Sequence, residues 1–153
     1  MSELGEPKKP FSETFIAATA MDAAYLAASG DAAPQPAPVV GEVSSAASDV
    51  LAERRRQIEA EGWTAEHDDQ HIAWELARAA AVYCMAAALD SADRAVMDEF
   101  GASGTPARFR ALWPWDSEWW KPKSRRRDLV KAGALIIAEI ERLDRAALAG
   151  EGK

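Results

Sequence analysis

The chain has 153 residues, a formal net charge of −7 and a pI near 4.9, with 48% hydrophobic and 28% charged residues. That is room for one domain with a modest core, and with one cysteine and no apolar run of spanning length it excludes a disulfide-built or helical membrane protein. Net acidity excludes a general attraction to nucleic acid, so any such contact needs a local basic patch.

Residues 1–47 read as a flexible arm. Within it "SETFIAATAMDAAYLAA" supports a short helix, and "GDAAPQPAPVVGEVSSAAS" has the composition of an extended linker. The first residues lack a basic start followed by an apolar block, so no secretory signal is read and a cytoplasmic location is expected.

From Ser48 the pattern turns helical. "SDVLAERRRQIEAEG" offers Ser48 or Asp49 as an N-cap and Gly62 as a stop, with Val50, Leu51, Arg54 and Ile58 along one thin apolar side. "WTAEHDDQH" leads to a second helix over Gln70–Leu89, where Asp68 or Asp69 would accept from the first free amides. Ile72, Leu76, Ala79, Ala80, Tyr83 and Ala87 recur at helical spacing and predict a buried stripe that includes the inert thiol of Cys84 nearby. A short helix is expected over Ala92–Phe100, closed by "GASGTP". Pro114 and Pro122 keep the tryptophan block that follows irregular. In the last helix Ser124 is the N-cap and Gly150 lies past the end. Leu129, Gly133, Ile136, Ile140, Leu143 and Ala147 step by four and three, which predicts a packing seam. The fold class is therefore all-α: a small bundle of three main helices and a short one over residues 48–148, with a disordered tail at 149–153. The predicted core joins the Ile72–Leu76–Tyr83 stripe to the Leu129–Ile136–Ile140–Leu143 seam, and dimerisation would complete so thin a bundle.

Three segments carry candidate chemistry. Trp113, Trp115, Trp119 and Trp120 fall within "WPWDSEWW". Each indole can bury about 200 Å2, so one reading is a cap that supplies the area missing from a thin, alanine-rich core. "WWKPKSRRR" supports two others, because Lys121, Lys123, Arg125, Arg126 and Arg127 beside indoles can grip a nucleotide or single strand, or dock a protein. Three arginines at a helix N-terminus oppose the macrodipole unless an anion sits there. In "EHDDQH" the candidate metal ligands are His67, Asp69 and His71, extended by Glu75. The alternative there is capping by the aspartates and a His71–Glu75 pair on a solvated edge. Glu141 and Asp144, flanked by Arg142 and Arg145, read as an exposed charge network.

From about Val50 to Arg145 the chain resembles a group of small proteins encoded by bacteriophages and prophages. The motifs are "ERRRQIEAEGWTAEHDDQH", "ELARAAAVY" and "WPWDSEWWKPKSRRRDLVKAGALIIAEIERLDR". The resemblance brings no activity with it; it implies a phage accessory protein in the host bacterial cytoplasm, binding a host or phage protein of a regulatory or defence system. The first and last helices are also similar to those of MazG-type all-α nucleotide pyrophosphohydrolases, which pair an E-E-x-x-E helix with an E-x-x-D helix to hold Mg2+. That similarity implies a metal-dependent nucleoside triphosphate pyrophosphohydrolase, a homodimer, with Glu75 and Asp128 as its carboxylates. The sequence departs from the pattern. "WELARAA" supplies no second carboxylate beside Glu75, and Lys131 stands three residues after Asp128. The leading expectation is thus a protein-binding module without cofactor. A nucleotide-binding or nucleotide-hydrolysing domain using Mg2+ comes second, and single-strand binding, which the acidity disfavours, third.

Overall fold

The structure, a computed structural model, describes residues 43–151, and the expected N-terminal arm and its short helix lie almost wholly outside them. Among the described residues every regular element is helical. Helix α1 spans Ser45–Glu61, α2 Ala65–Asp68, α3 Glu75–Ala87, α4 Ser91–Phe100, α5 Ala107–Leu112 and α6 Arg125–Glu151, with a 3-10 turn at Ser117–Trp119. None is long and apolar enough to cross a membrane.

The cap of α1 is Ser44, four residues earlier than Ser48; its extended backbone lets Oγ accept from the Ala47 N–H at 3.2 Å. Gly62 ends the helix as expected, in the left-handed region at φ 75°. The second helix is shorter than its periodicity predicts. Thr64, rather than Asp68 or Asp69, provides the cap in this stretch, and it caps the one-turn α2. The chain then turns through 69–74, and Trp74 takes a left-handed φ of 65° before α3 begins at Glu75. This turn throws Ile72 into solvent, so it leaves the predicted stripe. Asp68 does not cap because it is spent elsewhere: it is buried and pairs with Arg54 at 2.7 Å. Asp90 caps α4, and Ser124 Oγ accepts from the Arg127 N–H at 3.2 Å at the start of α6. Helix α6 runs on through Gly150 to Glu151, so that glycine does not stop it.

Both α1 and α3 pack on α6. Leu76, Ala79, Ala80, Val82, Tyr83 and Ala86 of α3 are buried together with Ala132, Leu135 and Ala138 of α6, joined by Met97, Phe109 and Trp120. The predicted seam is a correction. Leu129, Ile136, Ile140 and Leu143 are 41–53% exposed, and the inward stripe lies one position round the helix. The reason is that the inward stripe is made of alanines and paired charges, which an inventory of large apolar residues passes over. Both α3 and α6 bring small alanines to the shared core, and Asp128, Glu139 and Arg142 are buried on α6 because each is paired. On its other flank α6 meets α1, where a Cβ added at Gly133 would stand 3.0 Å from both methyls of Val50. Helix α1 contributes little apolar surface. Its buried side chains are Glu53, Arg54 and Gln57, while Leu51 and Ile58 are exposed.

Two buried arginines close the C-terminus of α3. Arg125 Nη1 donates to the carbonyls of Ala87 at 2.5 Å and Leu89 at 2.6 Å, and Arg94 Nη1 donates to Ala86 O at 3.1 Å. These satisfy carbonyls that the helix itself leaves open, at the end where positive charge is favourable. The tryptophan block folds back over the core as its prolines suggest. Trp120 is buried and its Nε1 donates to Thr105 Oγ1 at 2.8 Å, while Trp113 and Trp115 pack on the core half-buried.

Candidate functional site

A cavity of about 760 Å3 opens between α1, the 63–71 segment, the base of α3 and the tryptophan block. Its aromatic wall is a chain of rings. Trp63 stacks parallel to His67 at 6.5 Å, and His67 meets His71 edge-on at 5.0 Å. His71 meets Trp115 at 5.3 Å, Trp115 meets Trp113 at 5.3 Å, and Trp113 meets Tyr83 at 5.7 Å. Leu76 and Leu135 add apolar floor. The local fold dictates this wall. Gly62 reverses the chain after α1 so that Trp63 and the α2 turn lie against the tryptophan block, and Pro114 separates two indoles into an extended zigzag.

The opposite side is polar and comes from α1. Glu53 is buried; burial would raise its carboxyl, but Arg56 and Arg127 outweigh it and hold it below the ordinary range. Arg56 grips Glu53 in fork geometry at 2.8 and 2.9 Å and also reaches Glu61 at 2.6 Å, and Arg127 bonds Glu53 from α6. Arg54 ties three elements together, donating to Asp68 of α2 and to Glu141 of α6 at 2.9 Å. Most of the acidic lining is thereby neutralised, leaving Asp116 as an exposed carboxylate at the mouth. Two lysines complete the rim. Lys121 Nζ lies 5.1 Å over the Trp119 ring, and Lys131 Nζ lies 5.1 Å over Tyr83 and donates to the Lys121 carbonyl oxygen. Burial holds the Lys131 ammonium below the ordinary lysine range, although Asp128 opposes this. Burial likewise lowers His71, with His67 adding to the effect, so its imidazole is neutral at pH 7.

Three buried polar atoms on this lining have no hydrogen-bond partner: Gln57 Oε1, His67 Nδ1 and His71 Nε2. The nearest carboxylate oxygen to His67 Nδ1 is Asp68 Oδ1 at 3.6 Å, beyond bonding reach. All three atoms are closed off from solvent, so they lie behind the cavity wall and not on its open face.

The structure gathers part of the predicted set and disperses the rest. Trp113, Trp115, Trp119, Lys121, His67 and His71 line the cavity. Trp120 is core, and Lys123 is exposed, its backbone N–H donating to Asp128 Oδ1 at 2.8 Å. The three arginines are engaged internally: Arg125 on the α3 terminus, Arg126 with Asp49 at 2.6 Å, and Arg127 with Glu53. They face protein acceptors, which resolves the conflict with the helix dipole. Asp69 pairs with Arg145 at 2.8 Å, and Glu75 accepts from the Ala73 N–H at 2.8 Å. Glu141 is exposed as expected but bonds Arg54.

Asp128 is fully buried against Arg94 at 2.8 Å, and neither it nor Glu75 lines the cavity. The Mg2+ arrangement implied by the MazG-type similarity does not fit these residues, and among the described residues no three His, Cys, Asp or Glu side chains gather as a metal-holding group. Glu53, Gln57, Trp63 and Lys131 enter the site without having been singled out. For Glu53 and Gln57 a signal was present in "ERRRQ", where polar residues occupy i, i+1 and i+4 of a helix that must pack on its neighbours; Trp63 and Lys131 had none. Compared with known proteins, the chain matches no family model, no curated protein and no solved structure.

Proposed function

We propose that this domain binds a nucleotide-sized ligand, with its planar heterocycle among Trp63, Trp113, Trp115 and His71 and its phosphate toward Lys121 and Lys131. The observation that carries the reading is a continuous aromatic wall along one cavity with lysine side chains on the same lining. Its volume of about 760 Å3 falls within the range of small-ligand pockets. Indoles stack any base, and the exposed Lys121, with the half-buried Lys131 behind it, supplies the charge that phosphate needs. The reading is one of binding: Glu75 and Asp128, the carboxylates expected to do chemistry, stand outside the cavity. Titration of nucleosides and their mono-, di- and triphosphates against the intrinsic tryptophan emission tests it. Saturable quenching, weakened at least tenfold by Trp115→Ala, is the expected result. If no nucleoside or nucleotide at millimolar concentration shifts either the emission or the melting temperature, the reading is wrong.

A second reading rests on another surface. The exposed row Leu129, Ile136, Ile140 and Leu143 keeps a four-three spacing along α6, and α1 beside it exposes Leu51 and Ile58. Such a row is self-complementary in a two-fold pair, so the occupant proposed is a second copy of the chain, two α1–α6 pairs closing into a four-helix bundle. Sedimentation of the wild type and of Ile136→Glu measures this. The expected result is a dimer converted to a monomer of unchanged helicity; a wild-type monomer at all concentrations refutes it.

A further inference from the structure

The charges on the cavity lining are unequally engaged. Glu53 is held by Arg56 and Arg127, Glu61 by Arg56, and Asp68 by Arg54, so these carboxylates and arginines answer one another. Lys121, Lys131 and Asp116 line the same cavity outside those ion pairs. Lys121 is exposed, with its Nζ over the Trp119 ring. Lys131 is half-buried behind it and donates to the Lys121 carbonyl oxygen. Asp116 is exposed, and among the described residues its carboxylate takes part in no ion pair or hydrogen bond. Only its backbone carbonyl is used, accepting from Trp113 Nε1 at 3.2 Å and from the Trp119 N–H at 3.0 Å. These bonds pin the Ser117–Trp119 turn, which has Asp116 just before it and Lys121 just after it, and Glu118 is exposed on the turn itself.

We infer that the cavity selects nucleotides by phosphate count: it takes a nucleoside monophosphate and rejects the di- and triphosphate, with Asp116 as the specificity-determining residue. The inference rests on the nucleotide reading above. One exposed ammonium backed by a half-buried one matches the charge of a single phosphate monoester. Each further phosphate adds negative charge for which the described lining holds no other unpaired cation, since its arginines are committed to Glu53, Glu61 and Asp68. It adds that charge beside a free carboxylate, on a chain whose formal net charge is already −7. Repulsion between exposed like charges at low ionic strength is worth about a fivefold change in affinity, and salt screens it. The aromatic wall is indifferent to phosphate, so the nucleoside sets the baseline.

The test uses the full chain and tryptophan emission, in buffer with a chelator so that no divalent cation masks the phosphates. The four common nucleoside 5′-monophosphates are titrated first, and the tightest is compared with its nucleoside, diphosphate and triphosphate. At about 20 mM salt the monophosphate should bind about fivefold tighter than the nucleoside and about fivefold tighter than the triphosphate. At about 0.5 M salt both gaps should shrink below about twofold. Asp116→Asn, an exposed and nearly isosteric change, should tighten the triphosphate about threefold or more and leave the nucleoside unaltered. Lys121→Gln should bring the monophosphate down toward the nucleoside. A wild-type triphosphate that binds as tightly as the monophosphate at low salt, a comparison that needs no variant, would overturn the inference while leaving the nucleotide reading standing. An unchanged gap in Asp116→Asn would likewise overturn the role given to that residue. Absence of binding by every nucleoside and nucleotide would instead remove the reading on which the inference stands.

Discussion

Arg94→Met should be among the most damaging single substitutions in the chain. Arg94 is fully buried, and its guanidinium serves Asp98 at 2.9 Å, Asp128 at 2.8 Å, Ala86 O at 3.1 Å and Lys123 O. Methionine fills similar space but supplies none of these donors. Asp98 is partly exposed and can rehydrate, whereas Asp128 is as buried as Arg94. The loss therefore falls on Asp128 and should be about 3–5 kcal/mol, the usual cost of orphaning one half of a buried ion pair. Against a typical domain stability of about 5–15 kcal/mol, much of the fold is at stake.

The pH dependence carries a second signature. Burial already raises the Asp128 carboxyl above its ordinary 3.8, outweighing the help of the Lys123 N–H and Arg94. A carboxyl raised in the folded state keeps its proton where the unfolded chain has lost it. Its stabilising contribution is full below the unfolded value and disappears as pH rises through the folded one. Removing Arg94 extends that window upward, so the variant should recover part of its deficit relative to wild type on going from about pH 7 to about pH 5. Urea denaturation followed by helical circular dichroism measures both effects. The double variant Arg94→Met, Asp128→Asn should regain at least about 2 kcal/mol over the single one, because the orphaned charge is gone. A single-variant loss below about 1 kcal/mol, or a double variant no better than the single, would show that the pair is not what holds this corner.

Other substitutions separate packing from surface. Gly104→Ala should cost about 1–3 kcal/mol in urea denaturation, since its Cβ would lie 2.4 Å from the Val96 carbonyl oxygen and the backbone itself must give way. Trp120→Ala should lose about 3–5 kcal/mol and Trp119→Ala less than about 1 kcal/mol in the same assay, as one indole is buried and the other half exposed. Equal losses would mean the two rings are misplaced. His71 is lowered by burial, so the unfolded chain protonates first as pH falls; this contribution is present above the ordinary histidine value and lost below it. His71→Gln should thus flatten the decline in melting temperature between about pH 7.5 and about pH 5.5, and an unaltered decline would refute the assignment.

The sequence was most readable where local chemistry acts alone. Ser124, Gly62 and the two prolines announce their structural roles because a cap, a left-handed turn and a fixed φ depend on few neighbours. The all-helical class followed from periodicity. The face of α6 did not, because Leu129, Ile136, Ile140 and Leu143 form a genuine period that happens to point outward, while the inward period is written in alanine, aspartate and arginine. Polar residues count against burial unless their partners are known. Arg94 for Asp128, lying 34 positions away, is such a partner, and no local pattern pairs them. The same limit applied to the site. "WWKPKSRRR" looked like one binding surface, yet its arginines answer Asp49, Glu53 and the end of α3, and the cavity takes its polar side from α1 instead. Trp74 in a left-handed conformation, which shortens α3, has no signature in the sequence at all.

The buried alanines that α3 and α6 bring to their shared core have a bearing on how this protein can vary. Alanine has no rotamer to yield, so an added methylene at Ala79 or Ala132 cannot be absorbed by side-chain rearrangement. The whole rod must slide or tilt. Leu76 and Tyr83 ride on one rod and Leu135 and Lys131 on the other, and all four border the cavity. Positions that no guest would ever touch thus set the width of its chamber, and bulk gained there should be felt as altered fit before it is felt as lost folding.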